Sequence, residues 1–380
     1  MKGQIMLNGH ATDEELHLAV GQMLLVGFHG TEEPPDTIRA ALTTGTVGGV
    51  ILFRRNVEPG EDGLLKLAQL NAQLGACHPQ GGPPPFIAVD QEGGRVMRVR
   101  GSGVTPLPPM GRVGATGDRE LVAQVGEVIA TEIAALGFNL NFAPVLDVFT
   151  NPENTVIGDR AFGSDPHAVA ELAGAFTVGH YVAGVVPCGK HFPGHGDTVA
   201  DSHHELPVVL HGPERLEEVE LIPFARAVGA GIPMIMTAHI LVPALDALHP
   251  MTLSEVGLKR LLRTEMGYDG VVITDDLEMN AVAERYSIEE MVELGVRAGV
   301  DIFLICHTEA LWKRAYARLI ELGSGDDALR ARILRSAERV RRVKANILPG
   351  APYVAPTSLD ALQRELNTPE HRAVIERVER

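Results

Sequence analysis

Apolar residues along this chain fall in short, near-continuous runs, separated by longer stretches with helical spacing. The runs lie at 22–28 (QMLLVGF), 47–53 (VGGVILF), 86–90 (FIAVD), 138–148 (FNLNFAPVLDV), 185–191 (VVPCGKH), 233–239 (PMIMTAH), 270–276 (GVVITDD) and 301–306 (DIFLIC). A strand with one wet face alternates apolar and polar residues. These runs do not, which fits parallel strands covered by helices. Helical patterns separate most of them, at 64–75, 118–136, 165–183, 213–230, 254–266 and 287–299. Ser254 and Ser287 stand where N-caps belong, with acidic residues in the turn that follows. Eight strands alternating with helices predict a (β/α)8 TIM-type barrel in a single domain. The rival, an open doubly wound sheet, usually has fewer strands and a Gly-rich phosphate turn. No GxGxxG or P-loop pattern opens a helix here.

The pattern assigns residues 1–347 to the barrel, with 325–347 as a basic, amphipathic closing helix. Residues 348–380 read as a Pro-rich and then helical tail that packs on or trails from the barrel. No chemistry is assigned to it.

Charge narrows the ligand. The 380 residues carry a net charge of −16, which repels nucleic acid and anionic membrane surfaces. A small or neutral substrate is expected, with no nucleic-acid or membrane partner and a monomeric state. The three cysteines, Cys77, Cys188 and Cys306, form no CxxC pair, so zinc-ribbon and disulfide-framework readings fail. The N-terminal segment lacks the apolar run of a signal peptide, and no uncharged apolar run reaches about 18 residues. A reducing, cytoplasmic location is expected.

Barrel active sites lie at the C-terminal ends of strands, and the ionisable residues of this sequence gather there. Asp90 ends FIAVD, Asp147 ends NFAPVLD, Lys190 and His191 end VVPCGKH, His239 ends MTAH, and Asp275 and Asp276 follow VVIT. A lone strand-terminal Asp is equally at home as the N-cap of the next helix. It is the shared rim that argues for function. Lys190 is one of only six lysines. A partly buried lysine is costly unless paired or bonded to a ligand. It reads either as a donor to a bound sugar, together with His191, or as a structural ion pair with Asp90 or Asp147.

The longest loop follows the fifth run and holds His195, Asp197, Asp201, His203, His204 and Glu205. Two readings compete. Imidazoles and carboxylates can bind a metal, although no HExxH, HxH or CxxC spacing occurs. Alternatively, Asp201 bonds one ring nitrogen of His203, fixing its tautomer and stabilising the imidazolium, so that the ring gives and takes a proton near neutral pH.

KHFPGHGDTVADSHHELP (190–207) resembles the signature of glycoside hydrolase family three, in its β-N-acetylhexosaminidase branch. AVDQEGGRVMR (88–98), NFAPVLDV (141–148), IGDRAFG (157–163), MTAH (236–239) and VVITDDLEM (271–279) look like that family's other motifs, in the same order. The resemblance spans roughly residues 15–345 and leaves no room for the sandwich domain of the β-glucosidase branch. It implies a retaining exo-β-N-acetylglucosaminidase of peptidoglycan recycling, acting on a carbohydrate, with no metal or other cofactor.

By the same resemblance Asp275 is the nucleophile, His203 the acid/base and Asp201 its partner. Asp90, Arg98, Arg160, Lys190 and His191 match positions that hold the N-acetylglucosamine ring. Successive strand residues face opposite ways, so only one of Asp275 and Asp276 can aim at the sugar, and Asp276 is left to cap or orient the next turn. A nearby Arg or Lys would keep the nucleophile ionised. Met97 departs from the family, where Gln is expected. Three rivals stand beside this reading: a phosphorylase on the same fold, a metal-dependent amidohydrolase, and a non-catalytic sugar-binding barrel.

Overall fold

The computed structural model describes residues 12–60, 62–198, 206–348 and 350–380. Each apolar run forms one strand: β1 (Leu24–Gly27), β2 (Gly49–Leu52), β3 (Phe86–Val89), β4 (Leu140–Asn141), β5 (Val186–Phe192), β6 (Met234–Thr237), β7 (Val271–Ile273) and β8 (Phe303–Ile305). All pair in parallel, in the order β8, then β1 through β7. A bridge from Ile273 to Ile302, with Thr274 N donating to Ile302 O at 3.0 Å, brings the ends of this sheet together as a barrel.

Both faces of the strands are apolar, for different reasons. Phe86 and Ala88 of β3, Val186 and Cys188 of β5, and Val271 and Ile273 of β7 join the cluster inside the barrel. Ile87, Val89, Ile235 and Val272 point outward into the larger cluster beneath the helices. Burying each such side chain contributes about 1.5–3 kcal/mol. This parity also aims the residues at and just beyond the C-terminal ends of the strands. Asp90, Lys190 and Asp275 continue the inward rows of β3, β5 and β7.

The outer ring contains α1 (Asp13–Gln22), α2 (Asp36–Thr43), α3 (Gly63–Ala76), α4 (Arg119–Ala135), α5 (Pro166–Val182), α6 (Leu221–Gly229), α7 (Ile288–Ala298), α8 (Glu309–Gly325) and α9 (Asp327–Ile347). Ser287 caps α7 in a capping box. Its Oγ accepts from Glu290 N at 3.3 Å, and the Glu290 carboxylate accepts from Ser287 N at 2.7 Å. Ser254 Oγ accepts from Gly257 N at 3.0 Å, so the cap is as expected. The turns that follow, Val256–Glu265, are wound as a π-helix rather than an α-helix. α9 plugs the barrel floor with Val340 and Val343, and its Lys344 is fully buried there.

Two short helices, α10 (Leu359–Gln363) and α11 (Pro369–Glu379), form the last segment. Tyr353 Oη donates to Ala135 O of α4 at 2.6 Å. Glu132, also on α4 and buried, accepts from Asn367 N at 2.7 Å and meets His371 Nδ1 at 3.0 Å. The same carboxylate accepts from Thr105 N at 3.0 Å and Thr105 Oγ1 at 2.5 Å, in the loop after β3.

Candidate active site

A pocket of about 430 Å³ opens over the C-terminal ends of the strands. Asp90, Arg98, Arg160, Lys190, His191 and Asp275 all line it, so six of the eight residues singled out in the sequence meet there. The other two, Asp201 and His203, lie outside the described residues.

On the β3 side the pocket wall is a chain of ion pairs. Asp90 accepts from Lys190 Nζ at 2.8 Å and from Arg98 at 3.0 Å. Lys190 also meets Glu92 at 2.5 Å, and Glu92 receives a two-pronged contact from Arg160 Nε and Nη2, both at 2.8 Å. Burial by itself would raise the carboxyls, but the neighbouring cations outweigh it. Lys190 and Arg98 hold Asp90 well below the usual carboxylate range, while Arg160 and Lys190 bring Glu92 down to about 2. Burial likewise opposes the charge on Lys190, and Asp90 and Glu92 overcome it, so its pKa rises.

Lys190 is an ion-pair partner of Asp90, as one reading had it, and of Glu92 as well, and it still lines the pocket. Glu92 was not singled out in the sequence. It sits in a QEGG turn, and nothing local marks it as the partner of an arginine 68 residues on.

Asp147, fully buried, does a different job. Its Oδ2 lies 2.6 Å from His191 Nδ1, and its Oδ1 accepts from His191 N at 3.2 Å and His195 N at 2.7 Å. With Nδ1 donating to Asp147, His191 Nε2 is left as an acceptor, 3.4 Å from Arg160 Nη2. Burial drives His195 down to about 4, and its Nδ1 lies 2.7 Å from Thr198 Oγ1. The peptide bonds Lys190–His191 and Phe192–Pro193 are cis. In the loop beyond, Asp197 is committed, accepting from Thr150 Oγ1 at 2.7 Å and lying 2.6 Å from His211 Nε2.

On the opposite wall, Asp275 and Asp276 both line the pocket and differ in what holds them. Asp276 Oδ1 accepts from Glu278 N at 3.1 Å and Cys306 N at 3.2 Å, and its Oδ2 lies 3.4 Å from His307 Nε2. It ties the β7 loop to the end of β8. Asp275 faces the pocket, and its Oδ1 accepts from Asp276 N at 2.8 Å. Among the described residues no Lys or Arg pairs with it. The cations expected beside it are engaged by Asp90 and Glu92. His239 Nε2 donates to Asp276 O at 2.9 Å, and Nδ1 lies 2.8 Å from Thr252 Oγ1. Met97 is buried within the hairpin after β3 and does not line the pocket. Among the described residues no group of three or more His, Cys, Asp or Glu could hold a metal ion.

A parallel barrel whose C-terminal rim encloses a paired-charge wall facing an inward carboxylate is built as a glycoside hydrolase of the barrel type. Residues 15–343 match the glycosyl hydrolase family 3 N-terminal domain, and the chain belongs to that family. It is 41% identical over 302 residues to the beta-hexosaminidase of Thiobacillus denitrificans, covering 78% of this chain and 81% of that one. The family 3 beta-N-acetylglucosaminidase from Paenibacillus sp. str. FPU-7 is 40% identical, with a TM-score of 0.86, over 96% of this chain and 68% of that one. NagZ from Neisseria gonorrhoeae, solved with N-trifluoroacetyl-D-glucosamine, is 32% identical, with a TM-score of 0.75, over 94% of this chain and 96% of that one. The same protein has also been solved with a zinc ion.

Proposed function

We propose that this enzyme is a retaining exo-β-N-acetylglucosaminidase that removes terminal, non-reducing β-linked N-acetylglucosamine. The observation that carries the reading is the pocket, where Asp275 faces Asp90, Arg98, Arg160, Lys190 and His191 across the barrel. Relatives named beta-hexosaminidase and beta-N-acetylglucosaminidase support it.

Asp275 attacks the anomeric carbon and forms a glycosyl ester. His203, charged and oriented by Asp201, first protonates the leaving oxygen and then takes a proton from the attacking water. Asp90, Arg98, Arg160, Lys190 and His191 hold the sugar ring. The natural substrate is a peptidoglycan fragment released in cell-wall recycling, and the enzyme works as a cytoplasmic monomer. No helix among the described residues is long and apolar enough to cross a membrane. Residues 1–347 form the catalytic barrel, and 348–380 pack outside the chemistry.

The test is hydrolysis of a chromogenic N-acetyl-β-glucosaminide beside the matching β-glucoside, with and without EDTA, and with and without phosphate. Fast, chelator-insensitive cleavage of the first substrate alone is expected. Loss of activity with EDTA and its rescue by zinc would sink the reading in favour of metal-dependent chemistry, and zinc on the Neisseria relative makes this arm necessary. A rate that requires phosphate would convert the hydrolase into a phosphorylase.

A further inference from the structure

Behind Arg98, on the side away from the sugar pocket, lies a second groove of about 650 Å³. Arg98 lines both cavities, and Arg54 and Arg100 line the groove beside it. Leu359 and Gln363 of α10 form part of the far wall.

The charge there is out of keeping with the rest of the molecule. In a chain with a net charge of −16, several guanidinium groups elsewhere meet carboxylates, as in Arg314 with Glu289, Arg318 with Glu293 and Arg112 with Glu379, although others, such as Arg55, bond only neutral groups. Arg54, by contrast, has no ion pair among the described residues. Arg100 is tied only to neutral carbonyls: its Nε donates to Met97 O at 2.8 Å and its Nη2 to Arg95 O. Arg98 gives one nitrogen to Asp90, while its buried Nε has no partner. Glu58, the carboxylate lining the groove, shares Lys66 with Glu32, both at 2.9 Å, and its Oε2 is buried without a partner. Burial chiefly, and then the positive neighbours Arg54 and Arg98, depress the pKa of Arg100.

We propose that the Arg54–Arg98–Arg100 groove binds an oxyanion, a phosphate or carboxylate group, as a subsite distinct from the sugar pocket. Guanidinium forks match such groups in geometry as well as charge. The anion has two possible sources, the substrate itself or a free ion. The substrate source rests on the functional reading above. β3 and β7 lie opposite each other in an eight-stranded ring. A sugar with its reacting carbon at Asp275 therefore turns its far side toward Asp90 and Arg98. An anionic substituent on that side points into the groove.

Calorimetric titration of the full-length protein with inorganic phosphate, with N-acetylglucosamine saturating the sugar pocket, tests the site. The Arg54→Gln/Arg100→Gln double variant should bind phosphate about tenfold more weakly than wild type, since exposed charged contacts are each worth a few-fold. Its cleavage of an unsubstituted N-acetyl-β-glucosaminide should be unchanged. Arg54→Glu alone, at an exposed position, should weaken phosphate binding as well. Absence of binding to wild type, equal binding to the variants, or binding that N-acetylglucosamine abolishes would overturn the proposal. A second arm compares the substrate with its 6-phosphorylated form. A selective fall in kcat/KM for the phosphorylated form in the double variant makes the substrate the source. Weakened phosphate binding without that fall makes the source a free anion. If the glycosidase reading fails, hydrolysis is lost, whereas the phosphate titration still reports on the groove.

Discussion

Asp147 grips His191 at two points, the ring Nδ1 at 2.6 Å and the backbone N at 3.2 Å. Burial would raise this carboxyl, and His191 lowers it instead. Asp147→Asn presents an amide to Nδ1 and favours the opposite tautomer. The expected result is a fall in kcat/KM of about tenfold to a few hundredfold, with the protein still folded. Kinetics equal to wild type would remove His191 from substrate recognition.

Lys190→Ala and Arg160→Ala should each cost about 2–5 kcal/mol of transition-state binding. The ion pairs add a second effect. Either change strands Asp90 or Glu92 as a buried charge, so stability should also fall by about 3–5 kcal/mol. Combining Lys190→Met with Glu92→Gln should recover part of that stability without recovering activity. Urea titrations of the singles and the double decide this; strictly additive losses would contradict the coupling.

Glu92 also sets an acid limit. Its ordinary pKa of 4.5 falls to about 2 in the fold, so between those values the unfolded chain binds more protons. The stability it contributes is present above about pH 4.5 and is lost as pH falls toward 2. The stability gap between wild type and Glu92→Gln should therefore narrow from pH 6 to pH 3, as measured by chemical denaturation. A gap independent of pH would show that Glu92 is not ionised in the fold.

Lys344 shifts in the same direction, chiefly by burial rather than by pairing, and in a higher pH window. Burial lowers it from 10.5 to about 7, although Nζ donates to Gln22 Oε1 at 2.8 Å and Gly48 O at 2.7 Å. Between those values the unfolded chain again holds the extra proton, so stability rises with pH from 7 toward 10.5. Wild type should gain stability from pH 7 to pH 9 relative to Lys344→Met. Parallel pH profiles for the two proteins would refute the shift.

For the catalytic pair, Asp275→Ala should inactivate the enzyme on every aglycone. His203→Ala should lose much more rate on a sugar aglycone than on dinitrophenyl, which leaves without protonation. Asp201→Ala should follow the same pattern more mildly. With dinitrophenyl substrate, a covalent adduct on Asp275 should build up in His203→Ala and be visible by mass spectrometry. Equal losses on all aglycones and no adduct would move the acid/base elsewhere on the rim.

The barrel was legible because parallel strands covered on both faces leave apolar runs that alternating strands do not. The run 138–148 overstated β4, which pairs regularly only at Leu140–Asn141. Beyond it Pro144 has no N–H to give, and the chain goes on through single contacts such as Leu146 N to Lys190 O. Asp90, Lys190 and Asp275 could be placed because strand parity aims them. Glu92 could not, since its worth lies in Arg160, on a different loop. The anchoring of the tail was equally hidden, because Glu132 and Asn367 are 235 residues apart. π-Helical turns at Leu216–Glu220 and Val256–Glu265 share their apolar spacing with α-helices and left no separate trace.

The paired wall of the pocket has a consequence for how the enzyme meets water. Asp90, Glu92, Asp275 and Asp276 line the cavity together with Arg95, Arg98, Arg160 and Lys190, so fixed charges of both signs nearly cancel around it. A sugar hydroxyl arriving there exchanges loosely oriented water dipoles for donors and acceptors already locked in place by one another. Such a surface needs little rearrangement when a hydroxyl binds, and it exerts little pull on ions at a distance. Turnover of an uncharged glycoside should therefore be almost indifferent to ionic strength, even though the protein as a whole is strongly acidic.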